Sequence, residues 1–160
     1  MAVKVTPAVR AAEALGLRFR LLEYDYDPDA AAVGLQAAEA LGLAPGCVFK
    51  TLIVLLDTGE LVCAAIPSDA RLNLKALASL AGAKRAELAP PAKAERATGY
   101  VVGGISPFGQ RKRLRTFLDA SAGSHAEILV NGGRRGLQLA LAPEDCAQAL
   151  AAVVAPLQAA

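Results

Sequence analysis

The segment CVFKTLIVLL, residues 47–56, is the feature that most constrains the fold. Eight of its ten residues are apolar. Because successive side chains of a strand point to opposite faces, such a run predicts a strand buried on both faces. Lys50 lies inside this run. An unpaired buried ammonium costs on the order of several kcal/mol, so Lys50 either reaches water, pairs with a carboxylate or lines a pocket that receives an anion.

Length and composition favour one compact unit. The chain has 160 residues, of which 54% are hydrophobic and 20% charged, and this suits a single domain over 1–160 with one sizeable core. The formal net charge is only +2, so any polyanion must bind at a local patch. No apolar stretch reaches the roughly 18–20 residues of a membrane span. We therefore expect no membrane segment, no signal peptide and a cytoplasmic location.

The residues that usually carry metal or hydrolase chemistry are scarce. Cys47, Cys63 and Cys146 are too widely spaced for a zinc site, and the single histidine, His125, cannot complete one. No G-x-S-x-G or H-E-x-x-H motif occurs, which argues against a serine-hydrolase triad and a zinc hydrolase. We therefore expect reduced core cysteines, no metal and no cofactor.

Helical and strand periodicities alternate along the rest of the chain. Thr6 as N-cap, Pro7 in the first turn and Gly16 as the stop predict an opening helix, and Asn73 is placed to cap another. Further helices are predicted over 35–42, 74–82, 91–98 and 142–157, strands over 18–26, 47–56, 61–66 and 99–102, and hairpins around 57–60 and within 127–141. This pattern indicates an α/β fold whose mixed sheet is strongly curved or barrel-like and surrounded by helices.

A glycine loop and two basic clusters are further candidates for a binding site. The loop GGISPFG, residues 103–109, lacks the spacing of a dinucleotide loop or P-loop. Its glycines can aim N–H groups at a ligand oxygen, although a plain tight turn explains them equally well. If the two basic loops adjoin, their side chains can grip phosphates, whereas each cluster alone is more often solvated surface. The basic residues are Arg111, Lys112, Arg113, Arg115, Arg134 and Arg135.

Five segments occur in an order typical of one family. They are TPAVRAAEALGLRF near the start, YDYDP at 24–28, VFKTL at 48–52, TGYVVGGISPFGQRKR at 98–113 and GGRRGL at 132–137. Together they resemble the YbaK/EbsC family, also called YbaK/ProX, of trans-editing aminoacyl-tRNA deacylases, and are most similar to its cysteinyl-tRNA(Pro) branch. The resemblance implies a barrel-like mixed sheet wrapped by helices, with one pocket for the aminoacylated 3′ end of tRNA.

The resemblance also implies roles for single residues. The family's essential lysine falls on Lys50, and Gly103 and Gly104 match the loop whose backbone contacts the substrate ester. Substrate-binding positions fall on Tyr24, Val33, Thr51, Ser106, Pro107 and Asn131, and phosphate contacts on Arg111, Lys112, Arg113, Arg134 and Arg135.

Two positions depart from the family pattern. Asn131 stands where serine is common, and Val33 stands where an aromatic or larger apolar residue is common. These departures bear on the size of the pocket and on the preferred amino acid.

The implied activity is clearance of mischarged tRNA, most closely Cys-tRNA(Pro) and Cys-tRNA(Cys), by attack of the substrate's own thiol on its ester. Asn131 suits this route, since an amide can orient a substrate but cannot attack it. The modest net charge also suggests that prolyl-tRNA synthetase supplies tRNA selectivity as a partner.

Three alternatives stay open at this point. The first is a deacylase of Ala-tRNA(Pro), or of another small mischarged amino acid, that uses water. The second is a non-catalytic module that binds tRNA ends or prolyl-tRNA synthetase. In the third, Lys50 merely reaches solvent and the basic loops are solvated surface.

Overall fold

A computed structural model describes residues 5–29 and 33–160 of the chain. Its helices are α1 Pro7–Ala14, α2 Val33–Leu41, α3 Leu74–Ala81, α4 Pro91–Thr98 and α5 Pro143–Leu150. Its strands are β1 Arg20–Glu23, β2 Phe49–Leu56, β3 Leu61–Pro67, β4 Ala86–Leu88, β5 Thr116–Asp119, β6 Ile128–Asn131, β7 Leu137–Leu141 and β8 Val153–Ala155. Short 3-10 turns cover Pro45–Cys47 and Ala120–Ser124.

The strands form two open sheets. One has the order β1-β7-β6 and is antiparallel; the other has the order β4-β2-β3-β5-β8, with β5 parallel to both β3 and β8. A parallel bridge between Val48 and Leu129 brings the start of β2 beside β6. The predicted α/β fold with a mixed sheet is confirmed, in the form of two joined sheets rather than one closed barrel.

The β2–β3 hairpin forms the middle of the core. Both faces of β2 are buried, with Ile53 at 5% and Val54 at 0% exposure, as the apolar run predicts. One face packs with residues of α1, such as Ala8, and the other packs with Leu77 of α3. The hairpin turn at 57–60 is also confirmed, since the Leu56 amide donates to Glu60 O at 2.9 Å.

The helix caps follow the sequence signals. Thr6 Oγ1 accepts a hydrogen bond from Val9 N at 3.1 Å, and Asn73 Oδ1 accepts one from Ala76 N at 3.0 Å. A side-chain oxygen at the N-cap satisfies an amide that has no partner within its helix. Both helix starts are therefore set by local chemistry.

Two predicted elements are wrong. Residues 99–102 form a turn rather than a strand, and the Val102 amide donates to Glu95 Oε2 instead of a neighbouring strand. The predicted helix over 142–157 ends at Leu150, Ala151 adopts a left-handed φ of 49°, and β8 follows. Adjacent valines favour a strand, and Pro156 disfavours helical backbone in the residue before it, so the apolar periodicity of this segment misleads.

All three cysteines are free, as expected, but only two of them lie in the core as predicted. Cys63 and Cys146 are buried, whereas Cys47 is only partly buried. Burial raises the pKa of the Cys63 thiol to about 11 and that of Cys146 to about 12. These two thiols are poor nucleophiles because the thiolate is the reactive form.

The described helices are each eight or nine residues long, and none could span a bilayer.

Asp119 fastens the C-terminal segment to the sheet. Its buried carboxylate accepts hydrogen bonds from Leu157 N at 2.7 Å, Gln158 Nε2 at 2.9 Å and Ser121 N at 3.2 Å. Burial by itself raises the pKa of Asp119, but these hydrogen bonds together outweigh burial and hold the pKa below its ordinary value. A depressed pKa means that the ionised carboxylate stabilises the folded state.

We expect Asp119→Asn to lower the free energy of unfolding at pH 7 by about 1–3 kcal/mol, since one acceptor oxygen becomes a donor facing buried N–H groups. The stabilisation by Asp119 is fully present above its unfolded pKa of about 3.9 and is lost as pH falls through the lower folded pKa. The difference in free energy of unfolding between the variant and the wild type should therefore become smaller below pH 4. Urea titrations at pH 7 and pH 3.5 measure it, and equal differences would contradict this account.

Candidate functional site

A small cleft opens where the two sheets meet. Its volume is about 70 Å³. Residues from the start of β2, the glycine loop, β6 and β7 line it: Phe49, Lys50, Thr51, Gly103, Ile105, Asn131 and Gln138. The structure thus brings four predicted site residues together, namely Lys50, Thr51, Gly103 and Asn131.

Lys50 and Thr51 line the same cleft although strand alternation points their side chains to opposite faces. We infer that the cleft lies along one edge of β2, because both neighbours line it together with residues of β6 and β7 from the other sheet. β4 pairs only with Val54–Leu56, so this edge of β2 has no β4 neighbour at Lys50 and Thr51. Adjacent residues of a strand both contribute to its edge, which resolves the conflict in the sequence pattern.

Lys50 is a partly buried cation without an ion-pair partner among the described residues. The described salt bridges are Arg20–Glu127, Arg115–Glu60 and Arg134–Glu23. Burial lowers the pKa of Lys50, and the more distant charge of Asp69 offsets part of that effect. Of the three possibilities for this lysine, the described structure does not provide the carboxylate pair, and its place in a cleft favours an anion-facing role.

Asn131 binds the glycine loop to the β6–β7 turn. Its Nδ2 donates to Gly103 O at 3.2 Å, and its Oδ1 accepts from Gly133 N at 2.7 Å. Both ends of the amide are therefore used on backbone groups. Asn131 can shape the cleft in this conformation by holding Gly103.

The two glycines of the loop differ in what their N–H groups do. The Gly104 amide donates to Val101 O at 2.8 Å and closes a tight turn. The Gly103 amide donates to no protein acceptor in the described part of the chain, and Gly103 has a φ of 92°, which glycine adopts readily. Of the two, Gly103 alone lines the cleft and keeps a donor for a ligand.

Three buried polar atoms near this site have no hydrogen-bond partner within the described structure: Tyr24 Oη, Thr51 Oγ1 and Gln138 Oε1. Burial raises the pKa of the Tyr24 phenol above its ordinary value. Orphaned polar atoms are unusual in a folded interior and often occur at functional sites. Thr51 and Gln138 line the cleft, so part of its wall is polar.

Other predicted substrate residues lie elsewhere. Ser106 is fully buried, and its Oγ accepts from Phe108 N at 3.1 Å. Pro107 lines a separate surface cleft with Ala11 and Arg113. Val33 begins α2, but its side chain lies outside the described structure.

The six basic residues do not flank one cavity. Arg134 pairs with Glu23 at 2.7 Å, and Arg135 contacts the carbonyl of Val102. Arg115 pairs instead with Glu60 at 2.7 Å in the β2–β3 turn, at the opposite end of β2 from Lys50.

Arg111, Lys112 and Arg113 are exposed. Arg111 lies beside Gly99, and a groove lined by Lys112 and Arg113 also contains Glu60 and Lys93. The predicted phosphate contacts therefore divide into two groups, of which the pair in the β6–β7 turn adjoins the glycine loop.

A larger groove of about 440 Å³ lies between α3 and β4, lined by residues such as Asp57, Lys75 and Arg85. Asp57 is already bound there by the amides of Lys84 and Arg85 at 3.1 and 3.2 Å. None of the residues singled out from the sequence lies in it. Size alone therefore does not make it the functional site.

Sequence reasoning missed three residues of the cleft, Phe49, Ile105 and Gln138. Gln138 carried a usable signal, because it is a polar residue within the apolar segment LQLAL, just as Lys50 is within its own run. Nothing in the sequence distinguishes Phe49 and Ile105 from ordinary core residues.

A small α/β fold in which a lysine and a glycine loop line one cleft at a sheet junction defines a compact binding or catalytic domain. The aminoacyl-tRNA editing domain family matches residues 27–149, and the chain belongs to that family. The resemblance to the YbaK/EbsC deacylases is thereby confirmed.

Relatives of known name agree with this assignment. A protein of Enterococcus faecalis, provisionally named Cys-tRNA(Pro)/Cys-tRNA(Cys) deacylase EbsC, is 36% identical over 139 residues, which cover 87% of this chain and 84% of that protein. The proline-tRNA ligase of Brachyspira hyodysenteriae is 33% identical over 53% of this chain, but this match spans only 15% of the ligase.

Solved structures share the fold. The crystal structure of hypothetical protein APE2540 has a TM-score of 0.85 and 31% identity, and the match covers 96% of this chain and 99% of that one. A structure provisionally described as a trans-editing enzyme for prolyl tRNA synthetase has a TM-score of 0.81 over 98% of this chain and all of that one. Its identity is 24%, so it supports the fold alone.

We expect Asn131→Asp to destabilise the protein at pH 7 by about 1–3 kcal/mol, because a carboxylate oxygen replaces the donor that faces Gly103 O. Protonation restores a donor, so the loss should shrink near pH 4. Asn73→Asp is the matched control, since aspartate caps a helix as well as asparagine does. Urea unfolding at both pH values measures the free energy of unfolding of both variants. An equal loss of stability in Asn131→Asp and Asn73→Asp would contradict the role of Asn131.

Proposed function

We propose that this protein is an aminoacyl-tRNA deacylase that clears mischarged tRNA in trans, with Cys-tRNA(Pro), and also Cys-tRNA(Cys), as its substrates. The observation that carries the proposal is that Lys50, which has no ion-pair partner among the described residues, lines the same cleft as Gly103. Membership of the editing-domain family supports the reaction class. The name of the Enterococcus faecalis relative supports the choice of substrate.

The chemistry needs little from the protein. An aminoacyl ester is already activated, so catalysis requires a positioned carbonyl, stabilisation of its developing negative charge and a nucleophile. In the proposal Lys50 holds the anionic 3′-terminal adenosine end, and the Gly103 N–H donates to the carbonyl oxygen. Synthetase pockets separate similar small amino acids by only about 1–3 kcal/mol, which gives such an activity its purpose.

The nucleophile in this proposal is the substrate's own thiol. Among the described lining residues, Thr51 carries the one hydroxyl, and its oxygen is buried from solvent. The cysteine sulfur attacks the ester carbonyl, the bond to the ribose oxygen breaks, and the thiol proton passes to that oxygen. The products are a thiolactone and tRNA with a free 3′-terminal hydroxyl.

A second candidate is hydrolysis of Ala-tRNA(Pro) by water. The cleft volume of about 70 Å³ suits a short amino-acid side chain, that of alanine as well as that of cysteine. The two candidates share Lys50 and Gly103 and differ in the amino acid removed and in the nucleophile.

Prolyl-tRNA synthetase is the proposed partner. The similarity to segments of proline-tRNA ligases supports the pairing, since the same kind of domain then occurs within the enzyme that makes the error. The net charge of +2 offers little long-range attraction for tRNA. A single domain over 1–160, the cytoplasmic location and the absence of metal and cofactor stay predictions.

We expect Cys-tRNA(Pro) to be deacylated roughly 10-fold or more faster than Ala-tRNA(Pro) and Ser-tRNA(Pro), because only cysteine supplies the thiol. Mass analysis of the released product should find the thiolactone before free cysteine. Equal rates on all three esters would contradict the thiol mechanism. Fast release of alanine would favour the second candidate.

The same assay separates an enzyme from a binding module. Binding of mischarged tRNA without release of amino acid would overturn the deacylase proposal. Adding prolyl-tRNA synthetase should increase the preference of the deacylase for mischarged tRNA(Pro) over other mischarged tRNAs. An unchanged preference would count against that partner.

We expect Lys50→Met to reduce kcat/KM by roughly 100-fold, because it removes the cation from the cleft. The free energy of unfolding should rise by roughly 0.5–1 kcal/mol, a small gain because water partly screens the exposed part of the side chain. Lys75→Met is the matched control in α3, where activity should not change. Deacylation rates and urea titrations test the pair, and full activity in Lys50→Met would remove the role of Lys50.

A further inference from the structure

The Arg135 guanidinium holds one carbonyl of the glycine loop. Its Nε and Nη2 both donate to Val102 O, at 3.1 and 2.8 Å. The same group lies over the Tyr26 ring, with 5.4 Å from Cζ to the ring centroid. Arg135 therefore has its planar fork fixed from two sides, although the residue itself is exposed.

Fixing the carbonyl of Val102 also fixes the amide of Gly103. The two groups belong to one planar trans peptide, in which the N–H points opposite to the C=O. The Gly103 N–H is thus directed away from the guanidinium. Gly103 lines the cleft, and its N–H, like that of the lining residue Ile105, has no protein acceptor in the described part of the chain. The cation also polarises this peptide, which strengthens its N–H as a donor.

The neighbouring peptide is held by independent contacts. Gly103 O accepts from Asn131 Nδ2 at 3.2 Å, and Gly104 N donates to Val101 O at 2.8 Å. A side chain at Gly104 would approach the backbone of Arg134 to 3.0 Å, so the loop and the β6–β7 turn are in close contact. The consecutive carbonyls of Val102 and Gly103 are therefore held by Arg135 and Asn131, two side chains of the β6–β7 hairpin.

We propose that Arg135 is a positioning residue that aims the Gly103 N–H at the carbonyl oxygen of the substrate ester. This inference rests on the proposed function and replaces the phosphate contact that the sequence predicts for Arg135. Lysine cannot reproduce the role, because it keeps the charge but lacks the rigid fork.

The kinetic test is Arg135→Lys. We expect kcat for deacylation of the aminoacyl-tRNA to fall roughly 10-fold or more, since a misdirected donor stabilises the transition state less well. KM for the aminoacyl-tRNA should change less than about 2-fold, and its salt dependence should not change, because the charge is kept. Wild-type kcat in Arg135→Lys, with a raised KM and a weaker salt dependence in Arg135→Gln, would make Arg135 a phosphate contact and overturn the proposal.

Arg20→Lys is the matched control. Arg20 is also an exposed arginine that uses its fork, on Glu127, but it lies outside the cleft, so kcat should stay at the wild-type value. A similar loss of kcat in both variants would show a general effect of replacing arginine and would overturn the specific role of Arg135.

A measurement on the free protein separates this inference from the proposed function. In Arg135→Lys, the NMR shifts of the Val102 carbonyl carbon and the Gly103 amide should change, while the Gly104 amide and the melting temperature stay close to wild type. Unchanged shifts would overturn the positioning role, whatever the activity. Absence of turnover by the wild-type protein on every mischarged tRNA would instead overturn the proposed function.

Discussion

The short length of β4 is the constraint on which the site depends. β4 pairs only with Val54–Leu56, so one edge of the first half of β2 has no β4 neighbour. Unpaired strand edges carry backbone groups that need other partners. β6 approaches this edge through the bridge between Val48 and Leu129, and Gly103 and Ile105 of the glycine loop line the cleft with Lys50 and Thr51. The cleft is the space that this incomplete pairing leaves between two sheets.

The N-terminal helix braces both loops around the cleft. Thr6 Oγ1 caps α1 and also donates to Gly132 O at 2.5 Å. Gly109 lies against the backbone of Pro7, where an added Cβ would collide with the Pro7 carbonyl oxygen. Tyr100 closes the glycine loop by donating to Phe108 O at 2.7 Å. These contacts explain why the opening helix, the loop and the β6–β7 turn occur together as one set of motifs.

Rigid support around the cleft suits a reaction that depends on position more than on acid–base chemistry. Lys50 is kept partly buried without a carboxylate among the described residues, an arrangement that lowers stability and keeps its charge available for a ligand. Asn131 and Arg135 donate hydrogen bonds to the backbone carbonyls of Gly103 and Val102. Donors that are fixed before the substrate binds need no reorganisation during the reaction.

The caps at Thr6 and Asn73, the burial of β2, the hairpins and the family can be predicted from the sequence, because each depends on neighbours in the chain or on a motif. The shared cleft of Lys50 and Thr51, the place of Gln138 in it and the contact of Arg135 with Val102 follow from tertiary packing. Those results depend on where β4 stops and how two sheets meet, which involves contacts between residues far apart in sequence. Local periodicity carries no information on such contacts, and for the same reason the C-terminal segment was misread as one helix.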